Sequence, residues 1–316
     1  MEINIDDYDN SFFCLNQHIY NNKEKITFIS KPPIILTENK EEETKFVSGV
    51  MEKWSVNENY FKETEIYFLP NKLKFINLDN GLDWTVNVNY FPYGMTYYHA
   101  FTEVIPNLLY ILDKINDKNI NLYIPKSNFI GSLLEWFEIK NPYFFKDDNY
   151  IILKNQIIQP NTNCGNISPE SVKYIRNVVE KKSNLEKKIG IFIYRREVTR
   201  NIINSNETFE CIKKIFYNIE WKLFDVETIK DTAELFSKAK IIIAPHGGGL
   251  TNMLFAPKNI IIIEIMPYIE SNMCYSDLSK LLNNTHYIYP NDYFNENKQM
   301  QIDLNKFEKI LSKINI

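Results

Sequence analysis

Apolar positions in the second half of the chain fall into two arrangements, unbroken runs and helical stripes. Ser168-Pro169-Glu170 joins a capping side chain, a proline suited to the first helical turn and an early acid, predicting a helix to about Lys188. IGIFIY (189–194) predicts a strand, residues 206–217 a helix, WKLFDV (221–226) a strand and residues 229–239 another helix. IIIAP (241–245) and IIIIEI (260–265) are continuous apolar runs, separated by HGGGL and a short helical stretch. Strands apolar on both faces that alternate with helices predict a parallel sheet covered on both sides. Residues near 300–316 carry an amphipathic helical pattern, expected to pack back onto the first half.

The first half is less regular. ITFIS (26–30), EIYFLP (65–70), LKFINL (73–78) and WTVNVNYF (84–91) predict strands, with Asn80-Gly81 as a turn. From Tyr97 the spacing becomes helical, with a kink expected at Pro106. NLYIP (121–125) then reads as a strand, FIGSLLEWFEI as a short helix, YIILKNQIIQ as one or two strands and residues 161–167 as a loop. At 316 residues the chain exceeds one ordinary core. The expected division is an N-terminal α/β domain at 1–167, a Rossmann-like domain at 168–290 and a closing segment at 291–316.

Composition narrows the class. Hydrophobic residues make up 44% and charged residues 24%, which suits a globular chain and excludes a disordered one. A net charge of -4 and a pI near 5.7 leave no footprint for nucleic acid. The 40 asparagines and 32 lysines against four arginines follow an AT-rich codon bias, so asparagine abundance carries no function. Cys14, Cys164, Cys211 and Cys274 form no CxxC pair, which argues against a metal cluster and a disulfide framework. MEINIDDYDN lacks the charge and apolar pattern of a signal peptide, and no run approaches a membrane span. A cytoplasmic protein is expected, with homo-oligomerisation left open.

Four groups of residues could carry chemistry. Pro245-His246-Gly247-Gly248-Gly249-Leu250-Thr251-Asn252 follows a buried strand and precedes a helix, where glycine permits close backbone approach to a phosphate or diphosphate. It is neither GxGxxG nor a P-loop, and a tight structural turn with His246 packing is the plain alternative. Tyr194-Arg195-Arg196 and Arg200 hold three of the four arginines within six residues, at a strand end where bidentate anion contacts would form, unless they are a solvated cluster. Glu264 ends the IIIIEI run, where it would accept from ribose hydroxyls or enter a salt bridge with Lys or Arg. His99 and Glu103, four apart with Asn107 continuing their face, suit a general base oriented by a carboxylate, or a simple structural hydrogen bond. His18 and His286 stand in no comparable context. Asp7-Tyr8-Asp9 has DxD spacing but follows no buried strand, and Asp147-Asp148 reads as a turn, so no metal is expected.

These segments, in this order, resemble glycosyltransferase family 61, which includes capsular-polysaccharide biosynthesis proteins and the eukaryotic O-linked GlcNAc and plant xylan transferases. PHGGGLTNMLFAPKNIIIIEIMP, Pro245 to Pro267, is similar to the family's PHGAGLxNMLF segment and the EI–P that follows it. DTAELFSKAKIII, IFIYRREVTRNIINSNE and YYHAFTEVIPNLLYIL are similar to its other segments, so the likeness covers about 97–110 and 190–267. Gly248 stands where alanine is usual, Ala100 at a tryptophan-like position and Asn107 where an arginine often follows.

The resemblance implies a GT-B fold, two Rossmann-like domains facing a central cleft, with acceptor on the first and nucleotide sugar on the second. It implies inverting, metal-independent transfer from a nucleotide sugar, mostly a UDP-sugar, to a hydroxyl of a glycan or glycoconjugate, as in surface polysaccharide assembly. His99 or Glu103 would then be the base. Tyr194, Arg195, Arg196, Arg200, the 246–252 segment and Glu264 would bind the donor. The rival classes are an inactive nucleotide- or anion-binding homologue in a glycan-assembly complex and an NAD-dependent sugar-modifying enzyme, the latter disfavoured by the absent GxGxxG.

Overall fold

A computed structural model describes residues 12–13, 34–36, 76–77, 85–87, 96–106, 108–109, 112, 121–125, 129–140, 143–146, 151–152, 156–158, 169–195, 200–267 and 272–315. The strands of the first part are β1 (Phe12–Phe13), β2 (Ile34–Ile35), β3 (Ile76–Asn77), β4 (Thr85–Asn87), β5 (Asn121–Pro125), β6 (Tyr143–Lys146), β7 (Ile151–Ile152) and β8 (Gln156–Ile158). Those of the second are β9 (Ile189–Phe192), β10 (Glu220–Leu223), β11 (Ala239–Pro245), β12 (Ile261–Met266) and β13 (Thr285–Pro290). The helices are α1 (Tyr97–His99), α2 (Ile130–Trp136), α3 (Pro169–Lys182), α4 (Ser205–Ile215), α5 (Ile229–Phe236), α6 (Cys274–Leu281) and α7 (Leu304–Leu311). The chain forms two compact units, Met1–Ile29 with Ile66–Asn166, and Ser30–Glu65 with Ile167–Ile316.

The first unit holds a five-stranded parallel sheet in the order β1-β8-β4-β5-β6 and a parallel pair, β3-β7. Strands expected at 73–78, 84–91, 121–125 and 150–159 are present, while β6 was not foreseen: YFF is a short apolar run between Asn-Pro and Asp-Asp. The strands expected at 26–30 and 65–70, the Asn80-Gly81 turn and the 161–167 loop lie outside the described residues. The irregularity expected at Pro106 takes the form of a wide turn just ahead of it. After α1 the helix continues as a π-helical stretch, Ala100–Val104, closed by the Ile105 amide donating to Ala100 O. Proline cannot donate to the carbonyl four residues back, and a widened turn is one way a helix absorbs that loss.

The second unit is a six-stranded sheet in the order β10-β9-β11-β12-β13-β2, parallel throughout. Its central strands are as apolar as the sequence predicts because both faces are covered; Ile241, Ile242, Ile243, Ile262 and Ile263 have no solvent exposure. Gly190 in β9 lies beneath Trp221 of β10, where a Cβ would come within 2.6 Å of the indole, so the ring itself fills the space of a side chain. Thr228 caps α5 by accepting the Asp231 amide at 3.0 Å, and Asp303 caps α7 by accepting from the amides of Asn305 and Lys306.

The structure corrects several expectations. Helix α3 stops at Lys182 rather than Lys188, and the following residues lead into β9 beside the start of β11, Lys188 donating to Lys238 O at 2.9 Å. Ser183-Asn184 explains the stop, since both side chains favour non-helical backbone. Residues 1–167 do not form one separate block: β2 adds to the edge of the second sheet, the Leu36 amide reaching Ile288 O at 2.7 Å. The closing helix α7, expected on the first half, packs on the second. Its Phe307, Ile310 and Leu311 are buried with Phe192, Ile212 and Tyr289, and Lys214 pairs with Glu308 at 2.9 Å. An amphipathic pattern states that a face is covered and is silent on what covers it. Among the described residues no helix is long and apolar enough to cross a membrane.

Candidate functional site

Strand order alone locates a crevice in the second unit. The chain passes from β9 to β10 on one side, then crosses to β11 on the other side of β9 and runs outward through β12 and β13. The carboxyl ends of β9 and β11 therefore flank the point where the winding reverses, the position at which open parallel sheets bind ligands. Arg195 follows β9 and Gly247 follows β11. A Cβ placed on Gly247 would meet Arg195 Nη1 at 2.2 Å, so the guanidinium lies directly on the glycine backbone. Gly247 also adopts φ +155°, a conformation that side-chain-bearing residues rarely take.

The rest of the glycine segment divides into a surface and an anchor. A methyl group on Gly248 would have nothing within 4 Å, whereas a Cβ at Gly249 would touch Ile193 Cγ2 at 3.0 Å. The short helix expected here is a 3-10 helix, Gly248–Phe255, beginning with the Leu250 amide donating to Gly247 O at 3.0 Å. Leu250, Thr251 and Asn252 are buried, so their side chains fasten the turn to the core while 247–249 supply bare backbone. Arg176, absent from the sequence-based candidates, secures the other end of this helix by donating to Leu254 O at 2.8 Å and to Ala256 O. The signal was available: Arg176 is the fourth arginine of a chain that otherwise uses lysine.

Register explains the second feature. Ala244 of β11 lies opposite Glu264 of β12, and Ile262 lies opposite His286 of β13. Residues two apart share a sheet face, so His246, Glu264 and His286 come to the same side. Glu264 Oε1 takes His246 Nδ1 at 2.5 Å and Oε2 takes His286 Nε2 at 2.9 Å, all three residues being buried. Neither lysine nor arginine supplies the pairing; both partners are imidazoles, and His286 is the one that sequence reasoning passed over. Burial alone would raise the Glu264 pKa, but the charge and hydrogen bond of His246 and then those of His286 outweigh it and hold the carboxyl at about 2. A lowered folded-state pKa stabilises the fold above the ordinary value of 4.5, and that contribution disappears as pH falls toward about 2. In denaturant titrations at a series of pH values, the wild type should lose stability across this window more steeply than Glu264→Gln. Parallel slopes for the two would refute an ionised, paired Glu264.

Tyr275 of α6 sets its ring edge against His246, centroids 5.1 Å apart. Burial pushes its phenol well above the ordinary value, Cys274 and Glu264 push it further, and Arg200 and Arg195 pull it back. Both guanidinium groups thus lie within electrostatic reach of the tyrosine beside the histidine. Arg200 takes φ 58°, unusual for a residue with a side chain, and its amide donates to Lys298 O at 2.8 Å. The clasp continues through the Met300 amide to Asn201 O at 2.8 Å and Gln299 Nε2 to Asn201 Oδ1 at 2.9 Å. Tyr194 packs against the hydrophobic core, and Arg196 lies outside the described residues.

In the first unit, His99 Nδ1 and Glu103 Oε1 are 2.7 Å apart, the histidine 15% exposed and the glutamate 3%. Glu103 lies within the π-helical stretch and His99 directly ahead of it, and such wide turns recur at functional sites. Tyr98 sets its ring at 90° to the imidazole, centroids 5.3 Å apart. A carboxylate accepts from a ring N–H, and in the tautomer that donates from Nδ1 to Glu103 the lone pair of the imidazole is at Nε2. Asn107 and Asp7-Tyr8-Asp9 lie outside the described residues. Among the described residues no group of three or more His, Cys, Asp or Glu is arranged to hold a metal ion.

A parallel α/β unit with an arginine on a glycine turn at its switch point can hold an anion, and a histidine paired with a buried carboxylate can take a proton from a hydroxyl. The sequence model of the family Glycosyltransferase 61 matches residues 97–263, just over half of the chain, and the chain belongs to that family. It is therefore a glycosyltransferase, with a sugar donor and an acceptor as its substrates. No curated protein is significantly similar to it.

Proposed function

We propose that the chain is an inverting, metal-independent glycosyltransferase of the GT-B arrangement, moving a sugar from a UDP-sugar to a hydroxyl of a glycan or glycoconjugate in surface polysaccharide assembly. The second unit takes the donor and the first the acceptor. The observation that carries the donor half is Arg195 lying on Gly247 where the sheet reverses its winding. Bare backbone at 247–249 and the guanidinium groups of Arg195 and Arg200 would hold the diphosphate and stabilise the charge that develops on it as it leaves. Hydrogen-bond donors of this kind supply without a metal the positive field that a leaving nucleotide needs.

His99 acts as the base. Its Nε2 removes the acceptor proton as the hydroxyl oxygen attacks the anomeric carbon; the bond to the diphosphate oxygen breaks, and the UDP leaves with that electron pair. Glu103 holds the ring and stabilises the imidazolium. One displacement with no covalent intermediate inverts the anomeric centre. The reading is tested by incubating the enzyme with a panel of UDP-sugars and glycan acceptors in EDTA and assigning the product anomer by proton NMR. Transfer with an inverted anomer in EDTA supports it; a retained configuration or an absolute metal requirement overturns it.

A further inference from the structure

His286 plays no part in the scheme above, yet it is buried, lies two strands from the one that ends in the glycine turn and spends its Nε2 on Glu264 Oε2. The carboxylate is ionised and can only accept, so both imidazoles must donate to it: His246 from Nδ1, His286 from Nε2. With Nε2 spent on Glu264, the other ring nitrogen of His286, Nδ1, is buried with no hydrogen-bond partner. A buried polar atom left unpaired is costly, so Nδ1 makes His286 an expensive residue at this position. What the histidine secures in return is the second oxygen of Glu264. With only one oxygen tied, the carboxylate could rotate, or present both oxygens to His246. With both tied, Oε1 has one orientation. His246 is then confined to the Nδ1–H form, and its Nε2, which has no hydrogen bond among the described residues, is the ring atom left for a ligand.

We propose that His286 is a positioning residue for the donor site, acting through Glu264 to fix the tautomer and ring orientation of His246 beside the Gly247 turn. The chain of contacts runs from β13 through β12 to the end of β11, three adjacent strands, so it is as rigid as the sheet that carries it. As a donor-site statement this rests on the nucleotide-sugar reading above. As a statement about His246 it stands on its own geometry.

The test compares His286→Gln, His286→Asn and His286→Leu in the full chain. A glutamine amide nitrogen falls where Nε2 was and can still donate to Glu264; an asparagine nitrogen falls near Nδ1 and cannot. Nitrogen-15 NMR of histidine-labelled protein without ligand reads the His246 tautomer, resolvable because the chain has four histidines. Calorimetry reads UDP affinity, and thermal melting reports whether each variant is folded. In the wild type and His286→Gln, His246 holds its proton on Nδ1 and UDP affinity stays within about threefold. In His286→Asn and His286→Leu the His246 signals become those of a tautomer mixture and UDP binds about tenfold more weakly, the worth of one hydrogen bond to a charged group. If the leucine variant does not fold, the glutamine and asparagine pair decides. An unchanged His246 tautomer in His286→Asn, or a glutamine variant as impaired as asparagine, overturns the proposal. If the wild type binds no UDP, the nucleotide-sugar reading fails instead, and the tautomer comparison still decides the role of His286.

Discussion

Replacing His99 with asparagine lowers kcat/KM for sugar transfer by about 10²- to 10⁴-fold, the range of a lost general base, and leaves UDP affinity unchanged. Asparagine is the informative substitution because its amide nitrogen sits near the position of Nδ1. It can still donate to Glu103 Oε1, which His99 meets at 2.7 Å, so the buried carboxylate keeps a partner while the base is gone. Alanine would leave Glu103 without that partner and mix a folding penalty into the rate. Glu103→Gln separates the two candidates for the base. If Glu103 only orients the ring, glutamine costs less than His99→Asn, because the imidazole still carries the basic nitrogen. If Glu103 takes the proton itself, glutamine is the more damaging change. Stopped-time assays with a saturating donor measure both, and a His99→Asn enzyme that transfers sugar at the wild-type rate would remove the histidine from the chemistry.

The second large effect falls on the glycine turn, where three adjacent glycines are expected to respond differently. Gly247→Ala weakens nucleotide binding by about 10- to 100-fold. The new methyl would occupy the position 2.2 Å from Arg195 Nη1, and a flexible arginine moves aside at little cost to the fold, but the diphosphate contact proposed for it is then lost. A φ of +155° adds a stability penalty of about 1–3 kcal/mol, read as a lower Tm. Gly248→Ala changes affinity by no more than about twofold, since the methyl meets nothing within 4 Å. Alanine is the usual residue at this position in the family's segment, and the open space accounts for it. Gly249→Ala falls between them, requiring Ile193 to yield from a 3.0 Å contact. Equal losses at 247 and 248 would mean that the ligand itself approaches Gly248, and that displacement of Arg195 is not what sets Gly247 apart.

The second unit was the legible part of the sequence because its central strands are apolar on both faces, and runs such as IIIAP and IIIIEI are too short and too β-branched for buried helices. Glycines after one such strand and arginines after another could be named from the sequence. That β9 and β11 are neighbours, which brings Arg195 to Gly247, follows from strand order and from no local pattern. His286 was missed for the same reason. THYIYP lacks the continuous apolar run of the inner strands, and nothing near it points to a carboxylate 22 residues earlier. The pairing exists only once β13 lies beside β12 in register. Edge strand β2 and the resting place of α7 were hidden likewise, since both depend on which of two apolar surfaces a segment covers. His99 and Glu103, by contrast, are four apart on one helix, so their contact could be read directly from the chain.

The most direct test of the donor-site account is calorimetric titration of the full chain with UDP in the presence of EDTA, on wild type and on Arg195→Ala. The account predicts wild-type binding that survives EDTA and is preferred over GDP, CMP and NAD, and a loss of about 10-fold or more in Arg195→Ala, the worth of a charge-assisted contact. Binding that requires a divalent cation, or that is unchanged in Arg195→Ala, would contradict it.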